Sequence, residues 1–185
     1  CSRDWSSDVC SSDLGEPFDG DGGDGGALAF DLDRDRGVVE QGGQVTLGKA
    51  GGGDLWIVEN NAVAGGGIFA SYAPTLLNVT ARTWIVDNQA SGYGGGISTS
   101  QNTLIQLLDG ATVENNRAPK GGGISIGEKD TLVVGGCSGN GACTTDTVLV
   151  WKNEAGGIRV ADATAKLTLQ GSTGAKVTQN TGAAP

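Results

Sequence analysis

Hydrophobic and polar positions alternate along this chain in short runs, and the runs return. Ile68-Phe69-Ala70, Ile97-Ser98-Thr99, Ile124-Ser125-Ile126 and Ile158-Arg159-Val160 each follow a cluster of glycines, and Leu28-Ala29-Phe30 fits the same frame. A period of two puts Ile68, Ile97, Ile124 and Ile158 on one strand face and predicts that Ser98, Ser125 and Arg159 face water. A second run begins about eight residues further on: Leu77-Asn78-Val79, Ile105-Gln106-Leu107, Leu132-Val133-Val134 and Leu167-Thr168-Leu169. A third run leads into an asparagine, as in Trp56-Ile57-Val58-Glu59-Asn60, Trp84-Ile85-Val86-Asp87-Asn88 and Ala111-Thr112-Val113-Glu114-Asn115. Val150-Trp151-Lys152-Asn153 and Val177-Thr178-Gln179-Asn180 end in the same way.

Taken on Asn60, Asn88, Asn115, Asn153 and Asn180, the asparagines recur at 28, 27, 38 and 27 residues. The long interval holds an insertion at 135–147, between a second and a third run. Three strands in so short a repeat cannot bury their apolar faces alone, so successive repeats must stack. Stacked in parallel and joined by right-handed crossovers, they form an all-β, right-handed parallel β-helix. The expected solenoid has about five turns, with three short strands per turn, over 25–185. The alternation leaves the parity of the third strand open: either Val58, Val86 and Val113 point inward, or Ile57, Ile85 and Thr112 do. Large apolar side chains favour the interior, so Trp56 and Trp84 are expected in the core; an outward aromatic strip is the alternative.

Composition agrees with strands rather than helices. Of 185 residues, 34 are glycine, and there is neither histidine nor methionine. The stretch Asp4–Leu14 resembles a translated sequencing-library adapter, which sets 1–14 apart from the fold. Residues 15–24 form an acidic, glycine-rich loop. The formal charge is −9, and leaving out 1–14 removes three aspartates and one arginine to give −7. Such a chain repels phosphate backbones, so no nucleic-acid partner is expected. No apolar run approaches the length of a membrane-spanning helix.

The recurring asparagines supply the first motif. Asparagine tolerates left-handed backbone at a turn, and side-chain amides stacked between coils can bond one another as a ladder. The glycine clusters allow positive φ and close backbone approach, and no lysine-serine pair follows them as a phosphate loop would require. Glu59, Asp87 and Glu114 occupy equivalent places and read as a solvated face, with a cation- or ligand-binding face as the alternative. Asp31, Asp33 and Asp35 alternate like the start of a calcium loop, but Arg36 and Gly42 stand where that loop needs glycine and a carboxylate. Calcium is therefore the only cofactor in view, against an ordinary solvated loop. Cys137 and Cys143 bracket the insertion; a disulfide there would belong to an oxidising compartment, and two free thiols are the alternative.

The pairing of an Ile/Val-x-x-Asn element (Ile57 to Asn60, Ile85 to Asn88, Val150 to Asn153, Val177 to Asn180, with Thr112 to Asn115 as a variant copy) with a Gly-Gly-x-Ile-like element (Gly66-Gly67-Ile68 and its copies) resembles the repeats of polymorphic outer membrane proteins. These are autotransporter-type bacterial surface proteins. The resemblance implies a secreted or outer-membrane-displayed right-handed β-helix, used in adhesion or as a structural stalk.

Two functional classes follow. The first is a fragment of a secreted or cell-surface protein acting as a non-catalytic adhesin or structural passenger, with a surface glycan or protein as ligand. The second is a polysaccharide lyase or glycoside hydrolase of the pectin-lyase-like β-helix class. That chemistry needs two carboxylates about 5–10 Å apart, or an arginine base with calcium carboxylates. Asp87 with Glu114 supplies the first by type, and Arg82, Arg117 and Arg159 the second. Apart from the insertion at 135–147, nothing breaks the repeat to build a site, which favours the non-enzyme. Strand edges at open coil ends predict that the isolated chain self-associates.

Overall fold

The computed structural model describes residues 28–31, 44–48, 53–71, 76–136, 147–170 and 175–182. The segments 1–14 and 15–24, Asp33, Asp35, Cys137 and Cys143 lie outside the described residues. Every regular element that is described is a strand.

Three parallel sheets, each five strands deep, form a right-handed parallel β-helix. The first face stacks Leu28–Asp31, Ile68–Ser71, Ile97–Ser100, Ile124–Ile126 and Ile158–Val160. The second stacks Gln44–Leu47, Leu76–Val79, Leu104–Leu107, Thr131–Val134 and Lys166–Leu169. The third stacks Leu55–Val58, Thr83–Val86, Thr112–Glu114, Val148–Trp151 and Ala175–Thr178. The chain thus passes each face five times, in four coil-to-coil steps. Neighbours on a face are one repeat apart in sequence, so every strand is hydrogen-bonded to its own counterpart.

The interior is built of residue columns. Ile68, Ile97, Ile124 and Ile158 are in register on the first face. On the second, Leu77, Ile105, Leu132 and Leu167 form one column and Val79, Leu107, Val134 and Leu169 another. Ile57, Ile85, Val113, Val150 and Val177 line the third. The middle coils bury these side chains, and each apolar side chain so removed from water contributes roughly 1.5–3 kcal/mol. In the last described coil the same columns open: Leu169 is 55% and Val177 40% exposed. A concavity of about 460 Å³ lies there, lined in part by Leu167, Leu169, Val177 and Asn180.

Three expectations are corrected. The inward set on the third face is neither of the two foreseen, because Thr112 is in register with Trp84 and Val113 with Ile85; the repeat there is offset by one residue. A short fourth strand exists in two coils, Asn61–Ala64 beside Gln89–Tyr93, with a bulge between Ala62 and Ala64. Small residues such as Ala62, Ala64 and Gly92 carry no strong alternation, so this strand left little sequence signal. Ser98 and Ser125 are buried rather than exposed. Ser98 lies between Phe69 and Ser125 in an outward column, and Arg159 lies beyond Ser125 and donates from Nη1 to its Oγ at 3.2 Å.

Candidate functional site

Every coil turns out of the third face in the same way. The residue after the strand has left-handed backbone: Glu59 at φ 58°, Asp87 at 56°, Asn115 at 55°, Lys152 at 53° and Gln179 at 53°. None is glycine, so a specific bond must hold the turn. The next residue supplies it: Asn60, Asn88, Asn116, Asn153 and Asn180. Asn88 donates from Nδ2 to Asn116 Oδ1 at 3.0 Å and to the carbonyl of Ile57 at 2.9 Å. Its own Oδ1 accepts from the backbone N–H and Nδ2 of Asn60, at 3.1 and 2.9 Å. Asn116 and Asn153 repeat this pattern. Asn88, Asn116 and Asn153 are almost wholly buried, and these bonds satisfy every polar atom of their amides.

The ladder therefore runs through Asn116, not Asn115. Asn115 is exposed and takes the left-handed place, where its Nδ2 donates to Asp87 Oδ1. The sequence carries two adjacent asparagines at this point, and only the partners from neighbouring coils tell them apart. The same offset removes Glu114 from the set formed with Glu59 and Asp87. Glu114 is in register with Val86 and Trp151, and it pairs with Lys152 at 3.6 Å. The exposed turn column thus reads Glu59, Asp87, Asn115, Lys152, Gln179. Asp87 is answered by an amide and Lys152 by a carboxylate, so this is not a uniformly acidic face.

The glycines after the ladder let coils approach. A Cβ on Gly66 would collide with the backbone carbonyl oxygens of Gly95 and Gln89, and one on Gly122 with that of Glu154. Backbone bonds such as Gly96 N–H to Gly123 O at 3.0 Å occupy this space.

Trp56 and Trp84 point outward, contrary to the expectation of core packing. Their inward neighbours Ile57 and Ile85 already fill the column, and alternation sends the indoles to solvent. The two rings stack with centroids 4.7 Å apart and planes inclined by 12°. Trp56 remains 46% exposed, with Val58 beside it at 42%. Trp151 is in the other outward column; Lys152 Nζ lies 3.9 Å from its ring centroid, and its buried Nε1 has no partner.

The arginines do not gather. Arg82 pairs with Asp54 at 2.5 Å in the turn before the third face. Arg117 pairs with Glu154 at 3.0 Å on the fourth. Arg159 belongs to the first face. Asp31 belongs to a strand in register with Ser71. Among the described residues, no three carboxylates or cysteines come close enough to share a metal ion.

One cluster escaped the sequence reading. Lys120 Nζ and Arg159 Cζ lie 5.3 and 5.2 Å from the ring centroid of Tyr93, which is 43% exposed. A signal was present: Ala64, Tyr93, Lys120 and Ala155 each precede the positive-φ glycine of their coil, and two of the four are large and polar.

Comparison of the chain with protein-family models, with curated proteins and with solved structures found no match.

Proposed function

We propose that this chain is part of a secreted or cell-surface bacterial β-helix protein and serves as a non-catalytic adhesin or passenger module. It binds a surface glycan or protein along its flank. The observation that carries this reading is the outward Trp56–Trp84 stack, held on a rigid sheet next to exposed Val58. Exposed aromatic side chains on a preformed platform are the anchors of glycan and protein interfaces alike. The scatter of Arg82, Arg117 and Arg159 over separate parts of the coil, and the pairing of Glu114 with Lys152 and of Glu154 with Arg117, support binding over cleavage.

The test is a pair of assays on the intact chain and on a Trp56→Ala, Trp84→Ala double variant. Retention on bacterial or host cell surfaces should fall by about ten-fold in the variant, the size of an aromatic hot spot. Equal retention would overturn the assignment to this flank. Release of unsaturated sugars or new reducing ends from acidic polysaccharides would overturn the non-catalytic reading.

A further inference from the structure

Most cations near the coil's turns have a carboxylate partner: Arg82 with Asp54, Arg117 with Glu154, Lys129 with Glu128, Lys152 with Glu114. Lys120 and Arg159 have none among the described residues. Yet both close on one ring, that of Tyr93, so they lie within two such contact distances of each other. They come from successive coils and are fixed there by the fold. Tyr93 is bridged to Lys120, and Arg159 is anchored by its bond to Ser125 Oγ. Cation–π attraction holds each charge to the ring, but the two charges repel each other. An anion between them would remove that repulsion. In a chain of net charge −9 the arrangement is a local positive corner on an acidic body.

We propose that the Tyr93–Lys120–Arg159 corner recognises the anionic group of an acidic sugar, a uronate carboxylate or a sulfate ester. Arg159 offers a planar guanidinium for an oxyanion, Lys120 a second point charge, and the exposed part of Tyr93 an apolar surface for a sugar ring. Two cations match one anionic group. A dense polyanion is repelled by the remainder of the surface, which excludes nucleic acid and disfavours an acidic peptide. This site is separate from the tryptophan flank, so the outcome of one test leaves the other intact.

The experiment is calorimetric titration of the intact chain with four probes: a galacturonate trisaccharide, a sulfated disaccharide, a neutral trisaccharide and a hexaglutamate peptide. One or both anionic sugars should bind at least about ten-fold more tightly than the neutral one, and which of them does so identifies the anion. Lys120→Gln and Arg159→Gln should each weaken that binding by about ten-fold. Lys120 is exposed and has no carboxylate partner among the described residues, so its variant folds as the parent and keeps the test decisive even if Arg159→Gln loosens the last coils. Absence of binding by both anionic sugars, unchanged binding by Lys120→Gln, or tighter binding of hexaglutamate would each overturn the proposal.

Discussion

Asn116 donates from its side-chain amide to Asn153 Oδ1 at 3.1 Å across 37 residues, and Asn88 makes the same bond to Asn116 across 28. In sequence the extra residues fall between Val134 and Val148, the end of a second-face strand and the start of a third-face strand, and the ladder continues from Asn116 to Asn153 unbroken. The ladder thus defines the coil step independently of loop length.

Replacing Asn116 by alanine removes two acceptor and two donor contacts from a fully buried site. Stability should fall by about 3 kcal/mol or more, since its partners stay buried and unpaired. Asn115→Gly, one residue earlier in the left-handed turn, should cost less than about 1 kcal/mol. Urea unfolding followed by far-ultraviolet circular dichroism measures both. Equal losses would mean that the two asparagines share the ladder.

A methyl group added at Gly66 meets backbone rather than a movable side chain. Gly66→Ala should therefore destabilise by several kcal/mol, on the order of 3, or prevent folding. Gly182→Ala, with nothing within 4 Å of the added carbon, should stay within about 0.5 kcal/mol of the parent. Thermal melting of the two variants gives the contrast, and similar melting temperatures would contradict the close coil-to-coil approach.

The stacked indoles predict an energetic coupling as well as a surface. A double-mutant cycle over Trp56→Ala and Trp84→Ala should return about 0.5–1.5 kcal/mol of interaction. The near-ultraviolet circular dichroism of the parent should lose its tryptophan coupling in either single variant. Additive losses with no coupling would place the rings apart.

Asp162 is held below the ordinary carboxylate value of 3.8, first by the Thr164 hydroxyl, then by the Thr164 backbone N–H, with the Lys129 charge acting in the same direction. A carboxylate with a depressed folded pKa favours the fold above its unfolded pKa, and that contribution disappears as pH falls through the depressed value. The contribution is therefore present at neutral pH, and its loss is confined to strongly acidic solution. Thr164→Ala should raise the Asp162 titration midpoint part of the way back, because the backbone donor remains. Carbon-detected nuclear magnetic resonance reads this directly, and an unmoved midpoint would contradict the hydroxyl's role.

The solenoid and its inner columns were legible because repetition makes each strand's partner its own copy. Register then follows from aligning the sequence with itself: Ile68, Ile97 and Ile124 needed nothing else. The candidate sites were less legible. Asn115 and Asn116 are chemically identical, and choosing between them requires the partners above and below. Taking the first of the pair moved Glu114 into the wrong column and blurred the parity of Val113 and Thr112. Trp56 looked like core by size, and alternation could have placed it outside only once Ile57 was known to face in. The Tyr93 corner joins residues from three coils whose side chains meet only after stacking.

By itself, then, the sequence determined what is local and periodic: strand character, the repeat length, the side chains that must be hidden and the glycines that let coils touch. The tertiary structure alone decided which asparagine is bonded, which way the third strand presents its tryptophans, and that two cations from successive coils share one tyrosine ring. The division has a physical cause. Burial of a strand face is an average over many side chains and survives a shift of one residue, whereas a hydrogen bond or an ion–ring contact depends on the position of single atoms.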